Sequence, residues 1–238
     1  MPLPTQTTRL EAIRPLSPRV REFLLAPPPE PIHFLPGQWI SLQLPVGEKP
    51  PLVRAYSLAE PEDPSGRLVL ALDLVPGGLG SGYLFSLAPG AEITFSGPLG
   101  NFVLPDPLDR EIVFAARYTG VVPVRCMLRH LAARPLPVPI TLVYGGPTRD
   151  ELIYHDEFVA YAAREPRFRY LPILREPDPA WDGPVGEEID LVRATVAGRP
   201  RDYRPMVVGV RAFTQPLRAF FREEIGFDRR EVVVEHYD

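Results

Sequence analysis

Arg54 and Tyr56 stand two residues apart in the stretch Arg54-Ala55-Tyr56-Ser57-Leu58. In an extended chain that spacing puts both side chains on one face. A guanidinium is a planar fork of donors that matches a phosphate or pyrophosphate. The ring beside it can lie against a flat ligand. Some twenty residues on comes Val75-Pro76-Gly77-Gly78-Leu79-Gly80-Ser81. Its glycines admit close backbone approach, and Ser81 adds a hydroxyl donor. The plain alternatives are a surface charge at Arg54 and an ordinary hairpin loop at Gly77–Gly80.

A third stretch, Phe114-Ala-Ala-Arg117-Tyr118-Thr119-Gly120-Val-Val-Pro123-Val-Arg125, leads from an apolar run through a turn into a helical pattern. Strand, turn and helix in that order form a common seat for phosphate-bearing ligands. Such turns are usually glycine-rich, whereas here Arg117 and Tyr118 occupy two of the turn positions.

Two different periodicities must position these residues. In the first hundred residues, Val20–Leu25, Trp39–Leu44, Arg67–Val75 and Glu92–Phe95 read as short strands punctuated by Pro and Gly. That spacing predicts a small antiparallel barrel or sandwich. After Pro105-Asp106-Pro107 the pattern alternates. Strands are expected at Ile112–Ala116, Ile140–Tyr144, Arg169–Leu174, Met206–Gly209 and Glu231–Val234. Helices are expected at Pro123–Ala133, Asp150–Ala163, around Ile189–Val192, and at Phe213–Glu224. Alternating β and α units imply a parallel sheet covered on both faces. The expected division is 1–105 and 106–238.

Bulk properties narrow the function classes. The 238 residues are 45% hydrophobic with a formal net charge of −4, which argues against a nucleic-acid binder. No apolar run has membrane-spanning length, and the N-terminus lacks a signal-peptide pattern, so a cytoplasmic protein is expected. Cys126 is the sole cysteine, and His33, His130, His155 and His236 show no ligand spacing, so neither a cysteine-held cluster nor a metal site is expected. Lys49 is the only lysine and Asn101 the only asparagine, beside 32 prolines. These biases agree with a heat-adapted protein and equally with a GC-rich genome.

Arg54-Ala55-Tyr56-Ser57 resembles the flavin-binding R-x-Y-S signature of the ferredoxin–NADP+ reductase superfamily. Pro36-Gly37-Gln38-Trp39 is similar to the P-G-Q turn before it, and Gly97-Pro98-Leu99-Gly100-Asn101-Phe102 to the segment that closes the barrel. Gly77–Ser81 sits where that family has its second flavin-phosphate turn. Tyr144-Gly145-Gly146-Pro147-Thr148-Arg149 and Glu235-His236-Tyr237 are similar to later family segments. The likeness runs in family order along nearly the whole chain, and is nearest to the FAD-containing reductase modules of multicomponent oxygenases.

The resemblance implies a six-stranded flavin-binding barrel followed by a dinucleotide-binding-like α/β domain. It implies FAD held by Arg54, Ala55, Tyr56, Ser57, Val75, Gly77, Gly78, Gly80, Ser81, Thr119 and Tyr237, with Ser57 and Tyr237 at the reacting ring. Tyr237 also has a bland reading, as a terminal strand aromatic packed for its area. Reduced nicotinamide, NADPH or NADH, would meet Arg117, Tyr118, Thr119, Gly120, Thr148, Arg149 and Gly209. Electrons would leave to a separate acceptor, a protein or a small molecule.

The chain departs from the family at two places. Where members read G-G-T-G-x-x-P, it has Arg117-Tyr118-Thr119-Gly120-Val121-Val122-Pro123. Where they read C-G-P-P, it has Val208-Gly209-Val210-Arg211. Several outcomes stay open. Arg117 can bind the pyrophosphate itself. Tyr118 can block the site, leaving an electron-transfer protein fed by another donor, or a flavin-binding partner without catalysis. Arg117 can also point to solvent while Tyr118 packs on a loop.

Overall fold

The computed structural model describes residues 4–47 and 49–237; residues 1–3, on which the N-terminal reading partly rests, lie outside it. The chain folds into two compact units. One comprises Met1–Val103 with Arg125–His130, the other Leu104–Val124 with Leu131–Asp238.

The first unit is a six-stranded antiparallel barrel, as expected. Its strands are β1 (Thr5–Pro15), β2 (Val20–Leu25), β3 (Trp39–Leu44), β4 (Leu52–Ser57), β5 (Leu68–Asp73) and β6 (Glu92–Leu99), in the order β4-β3-β6-β1-β2-β5. The two end strands meet through a Leu58–Leu70 bridge and a bond from the Ala59 amide to the Val69 carbonyl (2.8 Å). Closure of this kind removes exposed strand edges. The alternation in β3 is that of a half-buried strand: Ile40, Leu42 and Leu44 are buried while Trp39, Ser41 and Gln43 are half-exposed. Leu10, Phe23, Leu25, Leu70, Ile93 and Phe95 complete the core. Each fully buried side chain of this size contributes about 1.5–3 kcal/mol.

Two elements of this unit go beyond the expected set. β1 precedes Val20 and pairs on both sides, with β2 and β6. The glycine-rich stretch after Val75 enters a helix, α1 (Leu79–Ser86). Cys126 is buried with the barrel core, and burial pushes its thiol up to about 12. It is therefore a packed, unreactive thiol.

The second unit is a five-stranded parallel sheet. Its strands are β7 (Glu111–Arg117), β8 (Ile140–Gly146), β9 (Phe168–Leu174), β10 (Tyr203–Val210) and β11 (Val233–Tyr237), in the order β11-β10-β7-β8-β9. The helices are α2 (Val121–Leu131), of which Arg125–His130 belong to the first unit, α3 (His155–Arg164), α4 (Glu188–Val196) and α5 (Arg211–Ala219), the last continued by a π-helical turn over Phe220–Glu224. β8 is buried at every position, as a strand covered on both faces must be. Several bounds shift from the sequence reading: α2 and α5 each start two residues earlier, at Val121 and Arg211, and β10 starts at Tyr203. α3 starts at His155 after a 3-10 turn at Arg149–Glu151, α4 is longer than Ile189–Val192, and β11 starts at Val233 and runs to Tyr237. No helix among the described residues is long and apolar enough to cross a membrane.

The topology locates one special point. From β7 the chain winds to β8 and β9 on one side, then returns to β10 and β11 on the other. Strand order reverses between β7 and β10, and ligands of such sheets bind in the crevice outside the carboxyl ends there.

Candidate functional site

The first unit assembles Arg54, Tyr56 and the glycine-rich turn. In register, Arg54 faces Leu42 and Tyr56 faces Ile40, so the two share one side of the sheet. The start of α1 lies against them because residue 80 has no side chain. A Cβ at Gly80 would sit 3.1 Å from Leu44, 3.3 Å from Leu52 and 3.4 Å from the Cγ of Arg54. The first turn of α1 carries no acidic residue and no side-chain cap, so its positive pole is uncompensated. Arg54 is exposed, and its Nη1 donates to the Val53 carbonyl at 2.8 Å. Among the described residues no carboxylate pairs with it. An uncommitted arginine beside a bare helix start suits an anion such as a pyrophosphate.

Tyr56 is partly buried, and desolvation raises its hydroxyl to about 12, opposed by the Arg54 charge. The ring is thus neutral and suited to a flat partner. Ser57 is buried at the end of β4; Ala55 and Val75 are exposed. Gly77 adopts φ +72°, which favours glycine. Ser81 does a local job: its Oγ accepts the Val75 amide at 3.1 Å and lies 3.4 Å from the Gly78 carbonyl. Its hydroxyl closes the loop from Val75 to Ser81.

The second unit brings Arg117, Tyr118, Thr119, Gly120, Val208 and Gly209 to the switch point. Arg117 ends β7, Tyr118–Gly120 form a 3-10 turn, and α2 begins at Val121. The end of β10 touches this turn. A Cβ at Gly120 would fall 2.6 Å from the Val208 carbonyl oxygen, so only glycine allows the approach. Gly209 adopts φ +147°, with Phe213 and the Arg117 Cβ close by. Val208 itself is fully buried.

Arg117 does not point to solvent. Its Nε and Nη2 donate to the two carboxylate oxygens of Glu188, at 3.0 and 2.5 Å, a bidentate pair. Nη2 also donates to Glu187 at 2.9 Å. The guanidinium lies over the Phe213 ring, 4.7 Å from its centroid, a cation–π contact. The Glu188 side chain is 0% exposed and that of Arg117 15%. Glu187 in turn accepts from Arg175 at 2.9 Å. Bonding first from Arg175, with further attraction from Arg117, holds the Glu187 carboxyl below its ordinary range. Gly145 explains how Glu188 fits: a Cβ there would lie 2.0 Å from the Glu188 Cγ.

Tyr118 takes φ +52°, the left-handed region where a non-glycine residue costs roughly 1–2 kcal/mol. Its hydroxyl donates to Oε2 of buried Glu151 at 2.9 Å. This anchors the ring toward the turn after β8. The family pattern has glycine at this position, and the observed φ is one that glycine adopts without strain.

The other expected residues are spread over the same unit. Thr119 is half-buried within the turn. Thr148 precedes the 3-10 turn of Arg149–Glu151, and Arg149 is exposed with no carboxylate partner among the described residues. Tyr237 ends β11 beside Val210, and its neighbour His236 bonds Thr214 through Nδ1 (2.5 Å). Sequence reasoning does not single out Glu187, Glu188 or Glu151. The available signal is charge complementarity: an arginine where glycine is usual needs an acid nearby, and two glutamates open the helix expected near Ile189.

Family models match both units. One described as an oxidoreductase FAD-binding domain matches residues 7–104, and one described as an oxidoreductase NAD-binding domain matches residues 118–218. Ferredoxin–NADP reductase B of Sorangium cellulosum is 36% identical over 238 residues, covering 97% of this chain and 96% of that protein. The electron transfer component of toluate 1,2-dioxygenase from Pseudomonas putida is 36% identical over 151 residues, 63% of this chain and 44% of that protein. The phenol 2-monooxygenase reductase component DmpP of a Pseudomonas species is 34% identical over 172 residues, 71% of this chain and 48% of that protein. The chain thus matches less than half the length of these two oxygenase components. Among solved structures, Amycolatopsis cytochrome P450 reductase GcoB superposes with a TM-score of 0.84 at 29% identity, over 99% of this chain and 70% of that one.

Proposed function

The chain belongs to the ferredoxin–NADP+ reductase superfamily, and from that premise we propose that it passes electrons from a reduced nicotinamide, through FAD, to a separate redox protein. FAD supplies the redox chemistry when bound, taking hydride from the nicotinamide and releasing electrons to the acceptor. The protein's part is to bind and orient. Arg54 and the start of α1 hold the pyrophosphate, and Tyr56 lies along the flat part of the cofactor. Ser57 is assigned to the reacting ring. The crevice between β7 and β10 receives the nicotinamide dinucleotide past Thr119, Gly120 and Gly209. Arg149 meets its adenosine end.

The observation that carries this reading is the Arg54 site: an arginine with no acidic partner among the described residues, packed against a bare helix start through Gly80. The acceptor is proposed to be a protein because several similar chains are electron-transfer components of oxygenase systems. A second reading is favoured by one observation, the enclosure of Arg117 by Glu188. On that reading the nicotinamide site is blocked, and the chain is a flavin-binding electron-transfer or partner protein.

Anaerobic mixing of the flavin-loaded protein with NADPH and, separately, NADH decides between them. Rapid loss of oxidised-flavin absorbance with either is the expected result and identifies the donor. No loss with either, while dithionite still reduces the flavin, overturns nicotinamide use and leaves the second reading.

A further inference from the structure

The turn that should attract a dinucleotide pyrophosphate is electrically silent. Arg117 and Arg175 bring two positive charges, Glu187 and Glu188 two negative ones, and all four are joined by ion pairs at 2.5–2.9 Å. The Arg117 fork is filled by its own chain. Nε and Nη2 are committed to the two Glu188 oxygens, and only Nη1 has no bond within the described residues. Glu188 cannot swing aside as a surface glutamate would. Its side chain is wholly buried, seated in the space that Gly145 leaves open. A phosphate that took the fork would strand that carboxylate without a partner, out of water.

We propose that Glu188, assisted by Glu187, is a resident counter-anion that sets the dinucleotide affinity and specificity of this turn. Arg117 acts as a positioning residue. It ties the end of β7 to the start of α4 and is withheld from the pyrophosphate. The wild-type crevice therefore binds a nicotinamide dinucleotide through backbone amides and contacts away from Arg117, with little long-range attraction for its charge. This rests on the reading above, that the switch-point crevice is where the dinucleotide binds.

The test uses the full flavin-loaded chain and three probes: NADP+, NAD+ and inorganic pyrophosphate. Dissociation constants are measured by calorimetric titration at several salt concentrations for the wild type, Glu187→Gln and Glu188→Gln. Each substitution leaves the turn with one net positive charge. Glu188→Gln should tighten the dinucleotides and pyrophosphate about tenfold, which corresponds to ~1.4 kcal/mol. Glu187→Gln should tighten them by about threefold, since that carboxylate is half-exposed and screened. Both variants should show a steeper loss of affinity with salt than the wild type, which a purely structural role would not produce.

Circular dichroism checks folding. If Glu188→Gln does not fold, Glu187→Gln carries the test, because its side chain is exposed. Unchanged or weaker binding by every folded variant, with an unaltered salt slope, overturns the proposal. Tighter binding, with no flavin reduction by NADPH or NADH in the wild type or either variant, sustains the counter-anion role and overturns nicotinamide use instead. Reduction of the wild-type flavin together with unchanged affinities in both variants overturns the counter-anion role alone.

Discussion

Arg54 and Arg117 make an instructive pair. Each lies on a strand at the approach to a glycine-bearing turn and a helix start, and each reads from sequence as a candidate phosphate ligand. In the structure they have opposite surroundings. Arg54 is exposed, bonds only a backbone carbonyl, and has no acidic partner among the described residues. Arg117 is enclosed by a bidentate carboxylate, a second glutamate and an aromatic face. An arginine's availability is decided by what the rest of the chain brings to it, and so a local motif does not reveal it. The first arrangement keeps charge ready for a ligand. The second uses the same charge to fix the chain.

The contrast can be broken by exchanging what each arginine loses. Arg117→Ala should be the most costly change, about 3–5 kcal/mol, because it leaves Glu188 buried without its partner. Denaturant unfolding of the apoprotein would measure this, and a loss under about 1 kcal/mol would contradict the enclosure. Arg54→Ala should leave apoprotein stability within about 0.5 kcal/mol. It should instead weaken flavin retention about 10- to 100-fold, the value of a charged hydrogen bond of about 1.5–3 kcal/mol. The flavin-to-protein absorbance ratio after gel filtration reads this directly. Full retention would remove Arg54 from the flavin site.

Smaller effects sharpen the picture of the second turn. Tyr118→Phe removes the donor to buried Glu151 and should cost about 1–2 kcal/mol. An unchanged melting temperature would mean that this bond does not hold the left-handed turn. The smallest effect is an acid one. Because the Glu187 carboxyl is held below its ordinary value of 4.5, its contribution is complete above that pH and disappears as pH falls through the lowered value. For a half-exposed pair this amounts to a few tenths of a kcal/mol. Wild type and Glu187→Gln should therefore differ slightly at neutral pH and converge in acid, as stability curves at several pH values would show.

Much of the architecture is legible in the sequence. Alternation gives β3 its ends, and the change of period after Pro105 marks the passage from antiparallel to parallel strands. β1 escapes because its buried face includes Thr8 beside Leu10, too polar to signal burial by hydropathy. α1 escapes because Gly80 and Gly82 are poor helix formers, and its packing against Leu44 and Leu52 outweighs propensity. The grouping of Arg54, Tyr56 and the glycine-rich turn is readable because these residues lie near one another in sequence. The enclosure of Arg117 is not, since its partners lie about seventy residues away after a proline-rich loop.

The buried pairing of Arg117 with Glu188 also constrains the order in which this turn can change. An open, glycine-lined form is more than one substitution away, and the order of the changes matters. Losing Arg117 first passes through a chain with a stranded internal carboxylate, which selection for folding would remove. Losing Glu188 first frees a guanidinium that already reaches solvent, a form open to selection for new anions. The accessible order of change therefore begins at the residue farther along the chain, and a chain changed only there would carry a new anion-binding phenotype.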